Sequence, residues 1–103
     1  MEAVNNEQGW GAPVITQALI DKLKQSGFNA IRIPCQWDWS HIINKTTEQI
    51  DPTWLNRVQQ VVQYCANDGM YVILNIHWDD GWLENNCTTA VQAAVNAKQR
   101  ALW

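Results

Sequence analysis

The sequence predicts an α/β fold in which parallel strands alternate with helices. Two segments, 29–34 and 71–76, are short and largely apolar, and they lack the polar–apolar alternation of a half-exposed strand. Helical periodicity precedes each of them, and a third helical segment closes the chain. Strands covered on both faces and separated by helices are parallel and are joined by right-handed crossovers.

The first helix and the first strand have clear boundary signals. Thr16 is a suitable N-cap for a helix over residues 17–26, and Gly27 suits the left-handed position that ends a helix. Residues 29–34 then form the first strand. We expect this strand to stop at Pro34, because proline cannot donate a hydrogen bond to a sheet.

The second helix has the strongest start signal in the chain. Asp51 can accept hydrogen bonds from free backbone N–H groups, and Pro52 needs no such bond at the first helical position. Residues 35–50, which precede this helix, are predicted to be a long connection. One apolar stripe is expected along the helix: Leu55, Val58, Val61, Val62 and Cys65.

The second strand, residues 71–76, ends in a polar and aromatic loop that we place at 77–89. An alanine-rich helix over 91–103 follows it. No glycine-rich turn follows either strand, so a doubly wound nucleotide-binding sheet is not favoured. Two strands alone leave their edges unpaired, and we therefore expect the chain to be part of a larger α/β domain.

Composition excludes several function classes. The 103 residues make one domain at most, and an apolar fraction of 47% is typical of a globular chain. A formal charge of −3 without a basic tract argues against binding to nucleic acid or an anionic membrane. No segment approaches the roughly 18 apolar residues of a membrane span, and residues 1–10 lack the pattern expected of a signal peptide.

Metal and disulfide frameworks are not predicted either. The three cysteines are odd in number and lack CxxC spacing, so we interpret them as buried or idle thiols: Cys35, Cys65 and Cys87. His77 and Asp79 have the spacing of an H-x-D metal pair, but only one other histidine is present and no further ligand cluster. We therefore expect neither a metal site nor a cofactor.

Arg32 and His77 are the polar residues at the two predicted strands. A lone buried charge is costly, so Arg32 should pair with an anion or line a polar cavity, unless the strand is at an edge and the side chain reaches water. His77 ends the other strand, where an imidazole can hydrogen-bond a substrate, tune a carboxylate or serve a structural role.

Seven tryptophans exceed what a small core needs, so some should lie at a binding surface. Four of them follow the strands, where an indole can stack on a sugar ring or plug a loop: Trp37, Trp39, Trp78 and Trp82. We interpret Trp54 and Trp103 as packing residues. The loop carboxylates are interpreted as solvated caps rather than an acid/base pair: Asp79, Asp80 and Glu84.

Three segments together carry a resemblance to a known family: NEQGWGAPVIT, GFNAIRIP and IDPTWLNRVQQVVQYCANDGMYVILNIHWDDGWL. They resemble the N-terminal third of glycoside hydrolase family 5, and most closely its bacterial endoglucanases. The match covers the chain from about residue 5 to Trp103. The resemblance implies a (β/α)8 TIM barrel that cleaves β-1,4-glycosidic bonds with retention. Residues 1–103 would then be a partial barrel with about strands 2–3 and helices 1–3, lacking the first strand and the C-terminal half.

The same resemblance implies roles for individual residues. Arg32 matches the arginine that supports the nucleophile carboxylate, and His77 matches a histidine that lines the subsite on the non-reducing side of the bond. Trp78 stands where the family often has a second histidine. The aromatic after the second barrel strand matches at Trp37. Neither catalytic glutamate matches a residue of this chain, and Glu84 lies in the wrong element to replace one.

These observations predict a partial catalytic domain of a secreted, retaining endo-β-1,4-glucanase that is inactive by itself. The expected partner is a β-linked polysaccharide or oligosaccharide, bound by Trp37, Trp78 and Trp82, with Arg32 and His77 in supporting roles. Two alternatives stay open: a non-catalytic sugar-binding protein that uses exposed tryptophans, and a metal-dependent hydrolase on a similar barrel.

Overall fold

The computed structural model describes residues 1, 7–37 and 40–103 and has helices and strands in the predicted order. The strands are β1 (Ala30–Cys35), β2 (Ile42–Asn44), β3 (Gln49–Ile50) and β4 (Tyr71–Ile76). The α-helices are α1 (Gln17–Gln25), α2 (Pro52–Asn67), α3 (Trp82–Asn85) and α4 (Gln92–Leu102), and single 3-10 turns lie at Gly9–Gly11 and Thr89–Val91. None of the helices in the described part is long and apolar enough to cross a bilayer.

Strands β1 and β4 pair in parallel over their whole length, as the sequence predicts. The expectation that β1 stops at Pro34 is wrong, because the strand continues to Cys35. The carbonyl of Asn29 accepts from Tyr71 and that of Cys35 accepts from His77, directly after β4, so the odd-numbered positions of β1 bond towards β4. The nitrogen of Pro34 points to the opposite edge, where a missing N–H costs no bond of this pair.

The predicted helix boundaries are confirmed. The side chain of Thr16 accepts from the backbone N–H of Leu19 at 3.3 Å and caps α1, after which Gly27 adopts a φ of +96°. Asp51 accepts from the first turn of α2 at 2.8 Å, and Gly69 follows this helix with a φ of +62°. Both glycines occupy the left-handed conformation that side chains with a Cβ rarely adopt.

The core lies between one face of the β1–β4 sheet and the helices packed on it. Val58, Val61 and Cys65 of α2 are buried, as predicted. Leu55 is not part of this core, since it is 46% exposed. Trp54 is buried instead, and its indole N–H donates to a carbonyl of the loop after β1 at 3.0 Å. The prediction for Leu55 was wrong because the buried face of α2 is turned about the helix axis by one position and includes Trp54.

The long connection predicted for residues 35–50 contains an antiparallel hairpin, β2–β3. The Asn44 side chain accepts from the backbone N–H groups of Thr46 and Thr47, at 2.9 and 3.3 Å, and closes its turn. The predicted loop at 77–89 likewise contains the short helix α3. Strands of three and two residues and a helix of one turn are too short to show periodicity in the sequence.

We expect the isolated 103-residue chain to unfold without a sharp cooperative transition. Among the described residues, β1 and β4 form a two-stranded sheet, and Tyr71 and Ile73 lie exposed on its uncovered face. A sheet with open edges and one bare apolar face is marginal in water. Thermal unfolding followed by near-ultraviolet circular dichroism measures this. A steep transition from a strong native tryptophan signal would contradict the expectation.

Candidate active-site wall

The two faces of the β1–β4 sheet have different environments. Ile33 of β1 points to the helix side and is buried. Arg32, its neighbour, lies on the other face and is exposed. Arg32 is in register with Ile73, so both side chains project from the same uncovered face. Within this chain the arginine therefore reaches solvent, which was the alternative interpretation from the sequence.

His77 follows β4 directly and extends its ladder, because its backbone N–H donates to the carbonyl of Cys35 at 2.9 Å. The exposed imidazole lines a cleft of about 410 Å³ at the carboxyl end of the strand. We call it the strand-end cleft, and its further lining residues include Trp78, Asp79, Glu84 and Trp103. The ends of parallel strands are where α/β enzymes collect their chemistry.

The structure separates the tryptophans predicted to bind sugar. Trp78 is 43% exposed and lines the strand-end cleft, where its ring is available for stacking. Trp37 is only 2% exposed and packs edge-on against Trp103, with ring centroids 6.2 Å apart. Because Trp37 is a core residue here, its ring cannot stack on a sugar in this structure. Trp39 lies outside the described residues.

Trp82 is half-buried and faces a different cleft. The Lys98 ammonium lies 4.2 Å from its ring centroid in a cation–π contact. Trp103, interpreted as a packing residue, contacts Trp37 but stays 63% exposed. These tryptophans therefore do not form one binding surface: Trp78 and Trp103 line the strand-end cleft, Trp82 lines the other cleft, and Trp37 lies in the core.

Of the three loop carboxylates, Asp79 takes the capping role that the sequence indicates. Asp79 accepts from the backbone N–H of Leu83 at 3.1 Å and so caps α3. Asp80 is exposed and adopts a φ of +58°, a conformation that aspartate tolerates better than most residues. Glu84 is exposed on α3. In the described part of the chain, no three or more His, Cys, Asp or Glu side chains converge as metal ligands would.

The two buried thiols are protonated and unreactive. Cys35 and Cys65 are free and buried, and burial raises the pKa of Cys35 to about 12. Burial likewise raises the pKa of Cys65. A thiol in this state is neutral at ordinary pH and is a poor nucleophile. Cys87 is free and exposed.

An ion pair that the sequence reasoning missed holds the segment before α1 against α2. Arg57 donates to both carboxylate oxygens of Glu7, at 2.7 Å each, and to the carbonyl of Ile15 at 2.6 Å. Glu7 also accepts from the backbone N–H of Ile15. Hydrogen bonding to Arg57 is the main cause that lowers the pKa of Glu7. These partners are 50 residues apart, and no local pattern marks such a pair.

A buried histidine was also missed. His41 is buried and stacks flat on Trp54, with centroids 4.0 Å apart and ring planes 4° apart. Burial lowers the pKa of His41, and the nearby negative charge of Asp51 opposes this effect. The histidine is therefore a neutral packing residue near the start of α2.

Helices on one face of a parallel sheet, with polar groups at its carboxyl edge, are the arrangement found in α/β-barrel enzymes. The family model of Cellulase (glycosyl hydrolase family 5) matches residues 1–103. The chain therefore belongs to glycosyl hydrolase family 5, whose fold is the (β/α)8 barrel, and it forms part of such a barrel.

Relatives in this family are endoglucanases. Endoglucanase B of Clostridium cellulovorans is 44% identical over 103 residues, which are 100% of this chain and 23% of the relative. A solved GH5-4 broad specificity endoglucanase from Clostridium acetobutylicum is 45% identical with a TM-score of 0.89, over 99% of this chain and 30% of that one. A GH5-4 broad specificity endoglucanase from Ruminococcus champanellensis with bound cellotriose is 45% identical with a TM-score of 0.85, over 94% of this chain and 27% of that one.

The chain thus spans between 23% and 30% of the length of these three proteins. Experiments on the effects of substitutions on stability and activity need the rest of the barrel. They are best made on a chimera in which this chain replaces the matching 23% of the C. cellulovorans endoglucanase B.

In the chimera, Glu7→Gln is expected to lower the free energy of unfolding at pH 7 by about 1–3 kcal/mol, the range for hydrogen bonds to charged groups. The pKa of Glu7 is lowered from its ordinary 4.5, so the ionised state is favoured by folding. The stabilisation is therefore complete above pH 4.5 and is lost as the pH falls through the lowered value.

Urea unfolding of the chimera between pH 3 and pH 7 measures this difference. Glu84→Gln is the matched control, because Glu84 is an exposed carboxylate on α3. Equal stability of Glu7→Gln and the unsubstituted chimera at pH 7 would show that the pair is energetically neutral, as many surface pairs are.

Proposed function

We propose that this chain supplies part of the substrate-binding wall of a retaining endo-β-1,4-glucanase that acts on β-linked polysaccharides. The observation that carries the proposal is the 44% identity to an endoglucanase over all 103 residues. The placement of Arg32 and His77 supports it, since one lies on the uncovered sheet face and the other at the strand end. The alternative of a non-catalytic sugar-binding protein gains no support from these relatives.

In this proposal β1 and β4 are the second and third strands of the barrel, and their uncovered face is turned towards its interior. Arg32 then meets carboxylates from other strands. A fixed guanidinium beside the nucleophile favours its ionised form and aims it through two parallel hydrogen bonds. Arg32 is a positioning residue in this scheme, because it acts on substrate through the carboxylate.

His77 and Trp78 contact substrate in the proposed enzyme. The imidazole hydrogen-bonds a sugar hydroxyl on the non-reducing side of the scissile bond, and the indole offers a face for stacking. Retention requires two carboxyl groups about 5 Å apart, one as acid/base and one as nucleophile. The family provides both as glutamates on later strands, so this chain contributes neither.

Residues 1–103 would be one part of a single catalytic domain. We further propose that the whole enzyme is secreted, because a polymeric glucan reaches only enzymes outside the cell. Neither proposal calls for a cofactor, a metal or a nucleic-acid partner, since carboxylates perform glycoside hydrolysis without them.

Release of reducing ends from hydroxyethyl cellulose by the chimera tests the proposed function. His77→Ala is expected to lower kcat/KM about tenfold or more, which corresponds to about 1.4 kcal/mol for a lost hydrogen bond at the subsite. Lys22→Ala is the control, because Lys22 lies exposed on α1 and lines neither cleft. A folded chimera without hydrolytic activity would contradict the proposed function.

A further inference from the structure

A second cleft lies on the opposite side of α3 from the strand-end cleft. Leu83 and Glu84 of α3 line the strand-end cleft, whereas Trp82 and Asn85 line the second one. Its walls come from the β2–β3 hairpin, the loop before α3, α3 itself and α4. We call it the hairpin cleft; it has a volume of about 390 Å³, and its lining includes Lys45, Glu48, Asp80, Trp82, Asn86 and Lys98.

Lys98 is the central charge of the hairpin cleft. Its ammonium lies 4.2 Å from the ring centroid of Trp82 and 3.9 Å from a carboxylate oxygen of Glu48. The side chains of Lys98 and Glu48 are only 15% and 17% exposed, so little solvent separates them. The ion pair between Lys98 and Glu48 joins α4 to the β2–β3 hairpin, and these two elements form walls of the cleft.

The charges of the hairpin cleft nearly balance. Two lysines face three carboxylates, with Asp79 and Asp80 in addition to Glu48. A strongly anionic or cationic ligand would meet like charges at close range, which is unfavourable in a partly desolvated cleft. The lining therefore suits a neutral molecule that can both accept from ammonium groups and donate to carboxylates.

The asparagines strengthen this preference for hydroxyl groups. The side-chain N–H groups of Asn85 and Asn86 donate to the carbonyls of Gly81 and Trp82, at 2.8 Å each. These bonds fix the amide of Asn85 on α3 and that of Asn86 directly after it, and each amide still has its oxygen to offer to a ligand. Carboxylates, amide oxygens and ammonium groups around an indole are the groups with which proteins bind polyhydroxylated ligands.

We propose that the hairpin cleft binds a neutral, hydroxyl-rich segment of a β-glucan chain outside the strand-end cleft. This inference rests on the proposed function, because that function supplies the polymer. Asp79 lines both clefts, so one chain that leaves the strand-end cleft has a short path over α3. Two linked contacts raise the affinity for long chains through effective concentration, without altering the reacting groups.

Affinity electrophoresis of the chimera in gels with hydroxyethyl cellulose tests this proposal. Lys98→Met removes the ammonium and keeps an apolar stem, and Lys45→Met does the same at an exposed position of the hairpin. Both variants are expected to raise the apparent Kd for the polymer about five- to tenfold. Lys22→Met on α1 is the matched control and should change it less than twofold.

A short substrate separates binding in the hairpin cleft from a general structural effect. We expect the two variants to raise KM for hydroxyethyl cellulose more than KM for an aryl cellobioside, which is too short to reach both clefts. Equal increases for both substrates, or no increase for the polymer, would overturn the proposal. If Lys98→Met does not fold, the same criteria apply to Lys45→Met.

A parallel gel with anionic carboxymethyl cellulose tests the chemical class of the ligand. Retardation by this polymer alone that depends on Lys45 and Lys98 would identify an anion site and overturn the neutral assignment. Failure of the proposed function is distinct, since it is seen as a chimera that hydrolyses no glucan. Retardation by hydroxyethyl cellulose still reports on the cleft in that case.

Discussion

Arg32→Lys in the chimera is expected to lower kcat about 10²-fold, a loss of about 3 kcal/mol of transition-state stabilisation. Lysine keeps the positive charge but has no planar fork that grips two acceptors at once. The carboxylate that Arg32 positions would then stay ionised, because the positive charge remains, but it would no longer be held in one orientation. Since Arg32 projects from the uncovered sheet face, the substitution disturbs no packing within the described residues.

Steady-state kinetics on hydroxyethyl cellulose measure this effect, with Trp54→Phe as the control. Trp54 lies in the core and donates to the carbonyl of Gln36, so its replacement should reduce stability by about 1–3 kcal/mol and leave turnover unchanged. Near-unchanged kcat/KM for Arg32→Lys together with lost activity for Trp54→Phe would show that the functional residues lie elsewhere.

The 103-residue chain alone is expected to show no hydrolysis of carboxymethyl cellulose. Retaining hydrolysis needs two carboxyl groups on either side of the bond, about 5 Å apart. Asp79 is engaged in capping α3, and Glu84 is exposed on the same short helix. Both residues line the strand-end cleft, but they belong to the loop after β4 and to α3, whereas the family's two glutamates follow later strands of the barrel.

The decisive comparison uses highly purified chain and its Glu84→Gln variant in the same reducing-end assay. Hydrolysis that survives purification and is abolished by Glu84→Gln would refute the conclusion that both catalytic carboxyls come from other parts of the enzyme. Hydrolysis that is identical in the two samples and disappears on further purification would identify a contaminating cellulase.

Local signals predicted α1, α2, α4 and the β1–β4 pair correctly, with ends within about one residue. Asp51-Pro52 marks the start of α2, and Gly27 and Gly69 occupy left-handed positions after α1 and α2. Each signal depends on one or two residues and on backbone geometry, which the sequence specifies directly. The parallel pairing of β1 with β4 followed from largely apolar strands and an intervening helix.

Tertiary contacts account for the predictions that failed. The face of α2 that meets the sheet includes Trp54 rather than Leu55, and helical periodicity cannot distinguish adjacent positions at the border of a stripe. Trp37 is buried and Trp78 is exposed although both follow a strand. Trp37 belongs to the core cluster and also contacts Trp103, which is distant in the sequence.

The candidate site was predictable only where its residues lie in or next to a strand. Arg32 and His77 were identified from their positions in the strands, and the structure places them on the uncovered face and at the strand end. The hairpin cleft was not predictable, because its walls come from segments up to about 50 residues apart, from Lys45 to Lys98. Only the fold brings such residues together.

A crystal structure of the chimera with bound cellotriose would test the central claim most directly. The expected result is a hydrogen bond of about 2.6–3.2 Å between His77 and a sugar hydroxyl, with the Arg32 guanidinium at similar distance from a carboxylate of another strand. A sugar bound away from the strand ends, with Arg32 facing bulk water, would contradict the assignment of this chain to the active-site wall.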